Sequence, residues 1–138
     1  MIEITRLDES NLDLLDGVDP DIFDEDVKLQ LAKELVKDRR HIMLLAVRKD
    51  GVIGQILCDV HKHIDKPTEL YIDDLAVSNN YLRQGVASLL VKEAIEIGKR
   101  EGCKQVWIAT EPDNEPANKL YESLGLKKST AYIFDGDL

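Results

Sequence analysis

Basic residues are outnumbered in this chain, with 18 Lys and Arg against 27 Asp and Glu for a formal charge of −9. That balance argues against a polyanion such as nucleic acid as the main partner and suits a cationic small molecule or a basic peptide. Long apolar runs are missing too. Met1 to Glu9 carries Glu3, Arg6, Asp8 and Glu9, which leaves no uninterrupted apolar core for a signal peptide. No later run approaches the length that spans a bilayer, so the expectation is a cytoplasmic chain with no membrane partner. The two cysteines, Cys58 and Cys103, have no CxxC spacing and no ligand cluster beside them, and both read as small buried residues. No repeat, low-complexity tract or dividing linker interrupts residues 1–138, which read as one domain large enough to bury a core without staples.

Apolar periodicity orders what remains. Ile2, Ile4 and Leu7 fit a first strand ending near Asp8, with Ser10 or Asp8 placed to cap a short helix. An acidic loop through Asp16, Gly17, Asp19, Pro20 and Asp21 comes next. From Asp24 to about Asp38, Val27, Leu31 and Leu35 recur every four residues, which predicts a helix with one buried stripe. His41 to Arg48 reads as a strand, Asp50-Gly51 as a hairpin turn, and Val52 to about His63 as the partner strand. On that strand Ile56, Cys58 and Val60 share one face, with Gln55, Asp59, His61 and His63 on the other. His61-x-His63 could begin a metal site, but no third ligand of suitable spacing is evident, and the expectation is no metal. A further strand, Leu70 to Val77, leads into a helix that starts near Val86 and stops before Gly102. The strand Gln105 to Thr110, a short helix from Glu115 or Pro116 to Ser123, and a last strand from Lys128 to Asp135 complete the order.

The centre of the chain is the passage from Leu70-Tyr71-Ile72 and Leu75-Ala76-Val77 through Arg83-Gln84-Gly85-Val86-Ala87-Ser88. It reads as strand, tight turn and helix start. The first N–H groups of a helix lack intrahelical partners and sit at the positive end of its dipole, so such a turn can hold a phosphate. Gly85 lets the backbone come close, Ala87 keeps the first turn free of bulk, and Arg83 adds a planar cationic fork. A second stretch, Asn114-x-x-Ala117-x-x-Leu120-Tyr121-x-x-Leu124-Gly125-Leu126, lies one strand and one crossover later.

Together the two stretches resemble the GNAT acetyltransferase superfamily over about Arg39 to Phe134. In that family the loop reads Arg/Gln-x-x-Gly-x-Gly/Ala and cradles the pyrophosphate of acetyl-CoA; Leu82 departs from it at the Arg/Gln position. The resemblance implies an α/β GNAT fold, a mixed, mostly antiparallel sheet of six or seven strands flanked by about four helices and splayed at its central parallel pair. It also implies that Leu75, Ala76 and Val77 present main-chain groups to pantetheine, with Asn114 and Ala117 on the opposite wall and Arg83 to Ser88 on the phosphates. Tyr121 would give its phenolic proton, or a hydrogen bond, to the departing thiolate. Within the superfamily, Glu69 to Val77 looks most like the type I aminoglycoside 3-N-acetyltransferases, where a Tyr-Asp-Leu-Ala-Val run precedes an Arg-Gln-Gly loop. The Asp of that run falls on Asp74, which would hold the substrate ammonium and receive or relay its proton, with Asp73, Glu69 or a water chain as other carriers.

Three functional classes are open to such a chain. The leading expectation is transfer of acetyl from acetyl-CoA, in a ternary complex, to a primary amine of a small cationic acceptor such as an aminoglycoside. The second is a protein or peptide amine acetyltransferase, and the third a non-catalytic acyl-CoA-binding module. A homodimer is compatible with all three, and the acceptor's identity is not written in these motifs.

Overall fold

In a computed structural model the chain is described at every residue except Asp50. Five strands, β1 (Glu3–Arg6), β2 (His41–Arg48), β3 (Gly51–His61), β4 (Glu69–Val77) and β5 (Gln105–Ile108), lie in one sheet in chain order. Neighbours pair antiparallel except β4 and β5, which are parallel. Helices α1 (Leu29–Lys37), α2 (Val86–Arg100) and α3 (Glu115–Ser123) are joined by short 3₁₀ turns over Leu12–Gly17 and Asn79–Tyr81. Of the Asp50-Gly51 turn, Asp50 lies outside the described residues, while the antiparallel β2/β3 pairing it predicts is present.

Both faces of the sheet are covered, which is why Ile42 to Ala46 is apolar without a break: alternate side chains enter different cores. On one face Ile42, Leu44, Ile56, Cys58, Leu70 and Ile72 pack under Val86, Leu90, Val91, Ala94 and Ile97 of α2 and against Tyr121 of α3. On the other, Met43, Leu45 and Val52 pack with Leu7, Ile22 and Val36 beneath the Leu12 to Lys37 segment. Cys58 and Cys103 are both buried and free, as their setting in the sequence implies.

Three expectations are corrected. The first helix begins at Leu29 rather than Asp24, since Asp19 to Phe23 is held against the sheet and the chain can coil only after leaving it; Val27, Leu29 and Leu31 stay exposed and the buried stripe shrinks to its last turn, at Leu35 and Val36. Lys128 to Asp135 forms no strand: Tyr132, Ile133 and Phe134 are 85%, 74% and 94% exposed, although successive strand side chains would face opposite sides. Strand-forming residues without a partner edge make no ladder. The sheet therefore has five strands instead of six or seven, and its parallel pair lies at the edge rather than the centre.

Two features of β3 and β4 fix the seat of α2 and the course of β4. Gly54 lets α2 sit close, because a Cβ there would meet Val86 Cγ1 at 3.2 Å, the Ala76 carbonyl at 3.3 Å and Leu90 Cδ1 at 3.3 Å. The β3/β4 register shifts between Leu57 and Cys58, so Ile72 lies opposite Cys58, Asp74 opposite Leu57, and Asp73 is the extra residue of a β-bulge. Gly54→Val should overpack the seat of α2 and lower stability by about 1–3 kcal/mol, read as a lower urea midpoint at unchanged slope.

Candidate active site

At the mouth of α2 the backbone is shaped for an anion. Arg83 and Gly85 both have positive φ, 62° and 78°, with Gly85 at the N-cap. The first bond of the helix runs from Leu89 N to the Gly85 carbonyl, 3.0 Å, so the N–H groups of Val86, Ala87 and Ser88 have no intrahelical acceptor. Alternating hand at successive residues turns N–H groups inward into a nest, and the helix dipole adds to it. A Cβ on Gly85 would meet nothing within 4 Å, so the space over the turn is open. The approach to the turn is pinned: Ser78 N donates to the Ile53 carbonyl, 2.8 Å, Asn79 N to Asp21 Oδ2, 2.8 Å, and the Arg48 guanidinium lies over the Tyr81 ring at 4.9 Å.

Beside this turn β4 runs on alone. Its pairing with β5 ends at Ile72 opposite Ile108, while β4 continues through Val77 with β3 as its only neighbour. Leu75, Ala76 and Val77 therefore keep one side of their backbone open toward the gap where β5 has ended. Leu75 and Val77 pack into the α2-side core and Ala76 into the other. Across the gap, Asn114 caps α3, its Oδ1 accepting from Ala117 N at 3.2 Å. Capping occupies that oxygen and the Ala117 N–H and leaves the Asn114 amide N–H groups for a ligand.

Tyr121 projects from α3 into the α2-side core and is 8% exposed. Burial pushes its phenol up to about 12, with the neighbouring Cys58 and Asp74 adding to the shift. It is thus a protonated donor throughout the neutral range. Cys58 is likewise raised to about 12, by burial and then by Asp73, so its thiol is no nucleophile. Asp74 Oδ2 accepts from Gln55 Nε2 at 2.8 Å.

The other carboxylates do not converge here. Glu69 opens β4 at the far end, with Oε1 3.2 Å from His63 Nε2 and 3.6 Å from Lys66 Nζ. Asp59 lies opposite Tyr71, 3.9 Å from the His41 ring. The His61 and His63 rings sit 4.7 Å apart, and no group of three or more metal-binding side chains occurs among the described residues. Tyr71, raised by burial and by Asp73, stacks on Trp107 at 4.3 Å. A cavity of about 220 Å³ runs along the loop that covers the sheet, lined by Leu15, Val18, Phe23 and Val27 with Asp19, Glu25 and Asp26. A second, of about 140 Å³, lies remote from the turn, among Arg39, Arg40, Lys62 and Glu101.

Sequence reasoning missed Gln55, which it placed on the polar face of β3. The residue is wholly buried, and its available signal was a lone carboxamide within Val52-Ile53-Gly54-Gln55-Ile56-Leu57.

A positive-φ turn at a helix start therefore lies beside a strand that outlasts its parallel neighbour, with a buried phenol in the core beneath the helix. The chain belongs to the acetyltransferase (GNAT) family, whose pattern matches residues 6–126. In sequence it is similar to N-alpha-acetyltransferase 30 of Schizosaccharomyces pombe, 32% identical over 95 residues, 67% of this chain and 63% of that protein. The Homo sapiens protein of the same name is 35% identical over 98 residues, 69% of this chain and 27% of its own length. The chain therefore spans less than two thirds of these relatives. In fold it is similar to the aminoglycoside N-acetyltransferase AAC(6')-Iy in complex with CoA, with a TM-score of 0.83 at 19% identity over 99% of this chain and 95% of that one. None of these is a 3-N-acetyltransferase, the subgroup to which the Glu69 to Val77 run pointed. No helix among the described residues is long and apolar enough to cross a membrane.

Because the Tyr121 phenol is raised in the folded state, the stability it contributes is present below its unfolded value near ~10 and lost as pH rises through about 12. Spectrophotometric titration should show one tyrosine ionising near 12, absent from Tyr121→Phe.

Proposed function

We propose that this chain transfers an acetyl group from acetyl-CoA to an amine of a peptide or protein, the N-terminal α-amino group foremost. What supports the transfer is that the α2 start has two positive-φ residues, Arg83 and Gly85, that β4 pairing with β5 stops at Ile72 before Leu75 to Val77, and that Tyr121 is buried in the core beneath α2. These parts fit the cosubstrate. Its phosphates would rest on the N–H groups of Val86, Ala87 and Ser88, its pantetheine arm would add to the β4 edge as a strand would, and the Asn114 amide would meet it from the far wall. Its thioester supplies an activated acetyl group and a thiol leaving group.

The remaining chemistry belongs to the side chains. Asp74 holds the acceptor ammonium and takes or relays its proton, the freed nitrogen bonds to the acetyl carbon, and the carbon–sulfur bond breaks. Tyr121 gives its proton to the departing sulfur and is reprotonated from solvent afterwards. The N-alpha-acetyltransferase relatives support a peptide acceptor. The net charge of −9 and the aminoglycoside-acetylating fold neighbour favour a second reading, a small polycationic amine.

Thiol release from acetyl-CoA separates the two. Peptides with free N-termini should support turnover and the same peptides with blocked N-termini should not; turnover only with aminoglycosides or polyamines would replace the first reading with the second. No turnover on any amine despite CoA binding would leave a binding module. Tyr121→Phe should retain CoA affinity and lose about 10²-fold in kcat, the lower end for general acid catalysis, because a thiolate leaves readily. Unchanged kcat would make Tyr121 a packing residue. Gly85→Val should cost about 1–2 kcal/mol of stability from its left-handed backbone and weaken CoA binding, measured by calorimetry, tenfold or more. Undiminished affinity would remove the nest from the cosubstrate site.

A further inference from the structure

Gln55 is a buried polar residue that the transfer chemistry leaves unused. It lies in β3 opposite Leu45 on one side and Ala76 on the other, and is 0% exposed. Its Nε2 donates twice, to the Ile22 carbonyl at 3.0 Å and to Asp74 Oδ2 at 2.8 Å, while Oε1 is buried without a partner. Burying a carboxamide with an orphan acceptor is unfavourable, and an apolar side chain would fill the same volume without that cost. Packing alone therefore gives no reason for a glutamine here.

The partners fix the orientation of the amide. A backbone carbonyl only accepts hydrogen bonds, so the nitrogen must face Ile22, and the same nitrogen meets Asp74. Asp74 Oδ2 is then held as an acceptor, and a proton arriving at this carboxylate is directed to Oδ1. Through its other N–H the same nitrogen grips Ile22, in a segment tied to the sheet twice more: Asp19 N donates to the Val52 carbonyl at 3.1 Å, and Asp21 Oδ2 accepts from Asn79 N at 2.8 Å. Asp19 and Phe23, on either side of Ile22, both line the 220 Å³ cavity.

We propose that Gln55 is a positioning residue for acetyl transfer: it fixes the Asp74 carboxylate so that the acceptor's proton is taken on Oδ1, and it links that orientation to the Asp19 to Phe23 wall. The inference rests on Asp74 acting as proton acceptor. The titratable groups on the elements around Asp74 are Tyr121 of α3, whose phenol its charge raises, Asp73 beside it in β4, and Asp19 and Asp21 of the gripped segment, and an Asp73→Asn control separates the second carboxylate from the first.

Two measurements test it. In the first, Gln55→Met keeps the length of the side chain and removes both donors. Turnover should fall about tenfold with KM for acetyl-CoA within about twofold of wild type, because the nest is untouched. The acidic limb of the kcat profile should move, since the donor that holds Oδ2 has gone. In an Asp74→Asn background the same substitution should shift the limb no further. An equal shift there, or no shift in either background, overturns the proposal.

The second measurement needs no catalysis. The Gln55 side-chain amide resonances, assigned by their loss in Gln55→Met, should move with pH in the wild-type protein and in Asp73→Asn, and stand still in Asp74→Asn. Resonances that ignore pH in the wild-type protein overturn the proposal whatever the activity shows, and they do so even if Gln55→Met fails to fold. Resonances that follow Asp74 while Asp74→Asn keeps full kcat and its acidic limb overturn the catalytic assignment of Asp74, and the positioning role falls with it.

Discussion

A strand that outruns its neighbour leaves a row of backbone donors and acceptors facing a gap, and backbone groups screened from water need partners. β4 does this from Asp73 to Val77, where β5 has already ended. The remaining parts are arranged around that opening. α2 is brought down onto β3 at Gly54, which sets the mouth of the helix beside the end of β4, and α3, begun at Asn114, sends Tyr121 into the same core. A ligand that is extended, polar along its length and anionic at one end satisfies both the strand edge and the helix start.

The two cores divide the labour across β4. Leu75 and Val77 point toward α2 and anchor the strand, while Asp74 and Ala76 belong to the side covered by residues 12–37. Tyr121 enters from the α2 side and still feels the Asp74 charge, because the strand is a single layer thick. The phenol and the carboxylate thus flank the same stretch of β4 from opposite faces. The covering loop meets β3 through Ile22 and the approach to the α2 turn through Asp21.

Much of this could be read in the residues alone. The α2 helix and the tight turn before it were legible because apolar spacing and a Gly-x-Ala at a helix start are local signals. β2 was legible as a strand, although its burial on both faces needed the covering loop to be seen. Gln55 was not legible as a buried residue, since alternation put it on a polar face and only tertiary structure roofs that face with residues 12–37. The bulge at Asp73 was equally hidden, because an extra residue shows itself only in register against a partner strand. Lys128 to Asp135 carried the composition of a strand, but pairing is a property of two segments, and this one met no edge. The start of α1 was misjudged for a related reason. Asp24 to Asp26 look well placed at a helix N-terminus, yet the segment just before them, Asp19 to Phe23, is tied to the sheet and the helix begins only at Leu29.

The bulge also separates the fold from its cleft. Without Asp73, Ile72, Asp74 and Leu75 would alternate regularly opposite Cys58, Leu57 and Ile56, and every side chain would keep its present face. Bulges bend a strand and sharpen its twist; a regular β4 would run straighter, nearer the line of β5. The same cores would form beneath a straighter β4. One unpaired residue, contributing little to either core, thus sets the course of β4 where its pairing with β5 stops.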